Sequence, residues 1–128
     1  MKFKELTEKI IGCTYTVYNK MGYGFLESVY EKCLLIELRK AGLKAEPQIP
    51  ITVYYDEEVV GEFYADVLVE ESIILELKSI QRILKVHEVQ LVNYLVATRK
   101  DVGLLLNFGE RKVEIKRKLR EFNGGSTE

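Results

Sequence analysis

The 128-residue chain holds one histidine, His87, and two cysteines, Cys13 and Cys33. A zinc site built from imidazole and thiolate ligands therefore lacks its parts, and any bound metal is expected to be a hard cation held by oxygens. The cysteines sit on separate helical patterns without ligand spacing, and neither flank resembles that of a catalytic thiol, which fits a reduced, cytoplasmic protein. Prolines are scarce too, only Pro47 and Pro50, and there is no repeat, low-complexity segment or linker. One domain over residues 1–122 with a disordered tail, 123–128, is the expectation. The opening segment MKFKELTEKI is charged throughout and lacks the apolar core of a signal peptide. No run is long enough to cross a bilayer, so no membrane partner is expected. Nineteen basic against twenty acidic residues leave a formal charge of −1. This balance argues against a large nonspecific polyanion-binding surface, although a local basic strip remains open.

What is present reads as an α/β chain. Phe3, Leu6, Ile10, Cys13 and Val17 recur at three and four, which predicts a helix from Phe3 to about Tyr18. Gly22 and Gly24 supply a turn, and a second helix follows from about Phe25 to Lys40, closed by Ala41-Gly42. The prolines bracket the entry to a strand, Ile49 to Tyr55, which turns at Asp56-Glu57-Glu58 into a second, Val59 to Val69. A third strand runs from Ser72 to Lys78. Gln81 to about Arg99 predicts the longest helix, with Ile83, Val86, Val89, Leu91, Val92, Leu95 and Val96 on its apolar side. Val102 to Phe108 is continuously apolar, as expected of a strand buried on both faces at the centre of the sheet. A final strand, Lys112 to Leu119, alternates a core face with a mostly positive one, and Arg117 breaks the alternation, so fraying is expected from there. The place of Phe122 is not readable.

The stretch Ala65 to Ser79, ADVLVEESIILELKS, concentrates the chemistry. Glu76 and Lys78 are two apart and share a strand face. A hairpin turning symmetrically about Glu71 sets Asp66 across from Glu76, whereas a one-residue slip sends it to the other face. Two facing carboxylates repel, and a divalent cation relieves the repulsion, so this register predicts a metal. An exposed cross-strand ion pair, worth under ~1 kcal/mol, is the plainer account of the same residues. Elsewhere, His87, Gln90 and Tyr94 form a polar stripe at helical spacing, able to orient a lysine or touch a phosphate backbone, or else merely solvated helix surface. Lys112, Lys116, Lys118 and Arg120 make a basic row that either tracks phosphates or guards an edge strand against aggregation. Tyr15, Tyr18, Tyr23, Tyr54, Tyr55 and Tyr64 are stacking platforms for bases or, more simply, amphipathic core edges. Glu27 is read at the third helical position, where a carboxylate favours the helix dipole.

The order ααβββαββ with carboxylates on strands two and three resembles the restriction-endonuclease-like core of the PD-(D/E)xK nuclease superfamily. More closely, the chain is similar to the small proteins named for a GxxExxY motif, through Gly24-Phe25-Leu26-Glu27-Ser28-Val29-Tyr30, GEFYADVLVE, ILELKS, HEVQLVNYL and GLLLNFG. The likeness maps the acidic motif onto Asp66, ExK onto Glu76 and Lys78, and the Gln-x-x-x-Tyr signature of the RecB-like branch onto Gln90 and Tyr94. One departure is Ala65, where the superfamily often has proline. The resemblance implies a central mixed sheet of about five strands flanked by helices, and a Mg²⁺-dependent, Mn²⁺-tolerant deoxyribonuclease. Asp66, Glu76 and Glu27 would hold the metal, and Lys78 would assist the attacking water. Gln90 and Tyr94 would support them, with Tyr30, His87, Lys112, Lys116 and Lys118 on the nucleic acid. RNA as substrate, a homodimer or a larger nuclease assembly, and a non-catalytic binding module on the same scaffold stay open.

Overall fold

The computed structural model describes residues 3–120; the tail and Phe122 lie outside the described residues. Elements follow in the order α1 (Lys4–Met21), α2 (Glu27–Lys40), β1 (Ala45–Tyr55), β2 (Glu58–Val69), β3 (Ile73–Lys78), α3 (Lys85–Thr98), β4 (Val102–Phe108) and β5 (Val113–Leu119). The strands form one mixed sheet in sequential order, antiparallel everywhere except β3 beside β4, which α3 joins by a crossover. This is the expected restriction-endonuclease-like arrangement.

Two cores flank the sheet. Alternation along β3 sends Ile73, Leu75 and Leu77 toward α1 and α2, where they pack with Ile10, Val17, Tyr30 and Leu34. Ile74 points the other way, to Leu91, Tyr94 and Leu95 of α3. Every residue of β4 is buried, as its unbroken apolar run required. Gly103 lets α3 approach closely, since a Cβ there would stand 2.9 Å from Leu91 Cδ1.

Local chemistry accounts for most departures from the expected boundaries. Strand β1 begins at Ala45, so Pro47 and Pro50 lie within it; they are tolerated because β1 is an edge strand. Helix α3 begins at Lys85, not Gln81, because two side chains hold the preceding segment outside the helix. Asn107 Oδ1 accepts the Ile80 N–H (2.9 Å) while its Nδ2 donates to Ile80 O (2.9 Å) and to Glu114 Oε1 (2.9 Å). Glu114 Oε1 also accepts the Ile83 N–H (3.0 Å), so this residue of the mostly positive face is tied to the loop instead. On α3, Val86, Val89 and Val96 face solvent, and the buried stripe is Leu91, Val92, Tyr94 and Leu95. Strand β5 does not fray at Arg117 but pairs with β4 through Leu119.

Candidate active site

The site grows out of a fork between β2 and β3. Their ladder pairs Val69 with Ile73 and Val67 with Leu75, the register symmetric about Glu71, and the backbone pairing stops there. Beyond it the two acids take over the backbone donors. Glu76 Oε2 accepts the Asp66 N–H at 3.0 Å, and Asp66 Oδ2 accepts the Leu77 N–H at 2.8 Å. The turn feeding this hairpin places Glu70 and Glu71 in left-handed conformations (φ 51° and 55°), closed by Ser72 N–H to Val69 O at 2.9 Å. Lys44 steadies it, donating its N–H to Glu70 and ion-pairing with Glu71.

Burial makes these carboxyls unusual. Glu76 is 7% exposed, and burial followed by the charge of Asp66 pushes its carboxyl up to about 8. Burial pushes Asp66 up to about 6 against the Leu77 hydrogen bond, with Glu31 and Glu27 adding negative charge. Lys78 eases both acids, yet among the described residues its own side chain makes no hydrogen bond or ion pair. The hydroxyl of Tyr94 is raised by burial and then by Glu76 and Asp66, and it accepts a 3.2 Å hydrogen bond from Gln90 Nε2. Lys78 and Tyr94 are thus each brought within electrostatic reach of both Asp66 and Glu76, with Gln90 attached through Tyr94.

The donor set suits a hard divalent cation. Asp66 and Glu76 each use one oxygen on a backbone amide, which leaves the other for a cation, and Mg²⁺ takes one or two carboxylates while keeping several waters. Among the described residues no three acidic, imidazole or thiol side chains converge into a ready cage. Glu27 stands at the first position of α2, not the third, after Leu26 as N-cap; it is exposed, and its negative charge is felt by both Asp66 and Glu76.

Other expected site residues are engaged elsewhere. Tyr30 is fully buried, stacks on Phe108 (centroids 4.2 Å apart, planes 5°) and donates its hydroxyl to Gly22 O at 2.6 Å. Facing a metal or phosphate is closed to it, since its ring and hydroxyl brace the α1–α2 loop. His87 Nδ1 accepts the Leu84 N–H (2.9 Å) and so caps the start of α3. Lys118 is ion-paired with Glu88 at 2.9 Å, both half-buried, and this pairing lowers the Glu88 carboxyl. Arg120 pairs with Asp101 at 2.7 Å. Lys112 and Lys116 remain exposed.

Two contributors escaped the sequence reading. Glu31 lies four residues after Glu27, hence on the same helix face, and that spacing was the available signal. It is gripped by Gln48 Nε2 at 3.0 and 3.3 Å, with Gln48 itself at φ 55°. Asn107, the one polar side chain in an apolar strand and fully buried, fixes the segment just past Lys78.

A search of curated proteins returned no match. Among solved structures, the crystal structure of SSO0001 superposes with a TM-score of 0.60 at 18% identity, covering 73% of this chain and 50% of that one. The chain therefore spans half the length of that protein, and the likeness concerns the fold. No helix among the described residues is long and apolar enough to cross a membrane. The family model for the PD-(D/E)XK nuclease superfamily matches residues 4–118, and to that superfamily the chain belongs.

Proposed function

We propose that the protein is a divalent-cation-dependent nuclease of the GxxExxY kind, on the RecB-like branch, that hydrolyses phosphodiester bonds in DNA. The observation that carries this reading is the pair of mutually repelling carboxylates at the β2–β3 fork, Glu76 buried and Asp66 half-buried, beside an uncommitted lysine. A structural role alone gives no reason to set two acids side by side, one of them buried, without a cation between them.

Asp66 and Glu76 would hold Mg²⁺, with Mn²⁺ accepted in its place. When bound, the ion would neutralise charge on the phosphate and lower the pKa of a water. Lys78, on the same strand face as Glu76, would orient that water and offset the negative charge developing at phosphorus. Tyr94, backed by Gln90, would hydrogen-bond on the opposite wall of the cleft. Lys112 and Lys116 would meet the backbone more remotely, each adding a screened attraction that salt weakens. Localisation in the cytoplasm fits the free thiols Cys13 and Cys33.

A second reading places the same chemistry inside a larger assembly or a homodimer. Exposed Tyr54, Tyr55, Val59, Val60 and Tyr64 on the β1–β2 hairpin, with Val86, Val89 and Val96 on α3, favour it.

The decisive experiment measures turnover of labelled single- and double-stranded DNA and RNA with Mg²⁺ or Mn²⁺, comparing wild type with Lys78→Ala. Activity in the wild type, reduced by roughly 10²- to 10⁴-fold in the variant at unchanged folding, is the expected result. Calorimetric cation binding should vanish in Asp66→Ala and Glu76→Ala. DNA binding without turnover in either protein, and without cation binding, would overturn the nuclease in favour of a binding module.

A further inference from the structure

Just past Lys78 the chain enters a second concavity that the hydrolytic residues do not use. It is a groove of about 630 Å³ between the α1–α2 loop and the segment that follows β3, lined among others by Tyr23, Leu26, Glu27, Gln81, Phe108 and Glu110. Its position couples it to the cleft. Ser79 is both the residue after Lys78 and part of the lining, and Glu27 lines the groove while its charge is felt by Asp66 and Glu76.

Its chemistry is selective. No lysine or arginine lines it, and its two charged members are acidic, so a phosphate is repelled. Leu26 is 77% exposed and Tyr23 56%, an apolar rim at a place where solvent-facing side chains are ordinarily polar. Phe25, 42% exposed, adds a second aromatic ring to the lining, and the Gln81 amide offers both a donor and an acceptor. A flat, neutral ring with hydrogen-bonding edges meets all of these conditions, and a nucleobase outside a stack is such a ring.

The walls are already set. Tyr30 donates to Gly22 O at 2.6 Å, Ser79 Oγ to Phe25 O at 2.8 Å, and Tyr18 to Gly109 O at 2.6 Å. A base entering here would therefore cost little ordering of the protein.

We propose that this groove receives one unpaired nucleobase of the substrate strand, so that cleavage occurs beside a bulge, flap or branch and not within uninterrupted duplex. The inference deepens the nuclease reading and rests on it for the identity of the ligand as nucleic acid. The phosphates follow the cation cleft and the base turns aside into the acidic, apolar groove.

The test uses the whole protein with Ca²⁺ replacing Mg²⁺, and a DNA duplex carrying 2-aminopurine either unpaired in a bulge or paired with thymine. Tighter binding of the bulged DNA, with a change in 2-aminopurine fluorescence, is expected. Tyr23→Ala and Leu26→Ala should each weaken bulged-DNA binding by roughly 5- to 100-fold and leave the paired duplex within about twofold. Tyr23→Phe, which keeps the ring, should restore the wild-type value. Equal losses on both DNAs, or undiminished bulge binding in both alanine variants, would overturn the groove assignment. Mg²⁺-dependent cleavage of plain duplex with no preference for the bulge overturns the groove and leaves the nuclease standing. Base-selective binding with no cleavage of any DNA supports the groove and overturns the nuclease.

Discussion

Replacing Glu76 by glutamine isolates the electrostatic cost of the acidic fork. The substitution keeps an oxygen that can accept the Asp66 N–H, now held at 3.0 Å, and removes only the ionisable proton. In the folded wild type the Glu76 carboxyl stands at about 8 against an ordinary 4.5, so across that interval the native state holds a proton that the unfolded chain has released. Stability is then fully present below about pH 4.5 and drains as pH rises through 8. At 1.36 kcal/mol per pH unit, the loss from this one group is on the order of 2–5 kcal/mol, the lower figure applying where water relaxes around the pair. Asp66, raised to about 6 from 3.8, adds to the lower part of the window only. Thermal and urea denaturation in EDTA from pH 5 to pH 9 should show the wild type losing stability until about pH 8 and levelling beyond it, whereas Glu76→Gln flattens above pH 7 and becomes the more stable protein by pH 9. Excess Mg²⁺ should return stability to the wild type alone, by about 2.7 kcal/mol at a hundredfold excess over Kd, with proton release. A variant whose decline above pH 7 parallels that of the wild type would refute the assignment of the repulsion to Glu76.

Three further outcomes follow from the same structure. Asn107→Ala strips the Ile80 amide and carbonyl of their partners and frees Glu114, so it should cost about 1–3 kcal/mol in denaturant titration; amide exchange should speed up at 80–83, and DNA turnover should fall more than cation binding. Tyr30→Phe leaves Gly22 O without its donor and should cost about 1–2 kcal/mol by thermal melting, with affinity for fully paired duplex unchanged because the ring and hydroxyl are buried. Asp56→Asn with Glu57→Gly relieves two non-glycine residues at φ 50° and 68° in the β1–β2 turn, and should raise the unfolding free energy by about 1–2 kcal/mol.

The parts of the site readable beforehand were those governed by local periodicity. With the loop Glu70 to Ser72 taken as symmetric about Glu71, alternating strands set 66 opposite 76, and the ladder from Val69–Ile73 to Val67–Leu75 has that register. Lys78 shares the face of Glu76 for the same reason. Side chains whose tips reach far along the chain could not be read that way. Tyr30 looked available until Gly22 and Phe108 claimed it, His87 until the Leu84 amide did, and Lys118 until Glu88 did. On α3 a continuous apolar pattern named too many core residues, because period alone cannot say how wide a stripe the sheet covers; Val86, Val89 and Val96 fell outside it.

By itself, the order of residues determined which segments become helix or strand and the sequential hairpins, since each depends on neighbours a few positions away, while the trio at 66, 76 and 78 stood out through its resemblance to a family motif. Only the tertiary structure decided that β2 and β3 part beyond Val67 and Leu75, and that Glu31, held by Gln48, adds its charge at Asp66. It also decided that Glu76 is buried deeply enough to hold a proton near neutral pH. Protonation and ligation depend on excluded water and on charges delivered from distant elements, and those are properties of the packed chain.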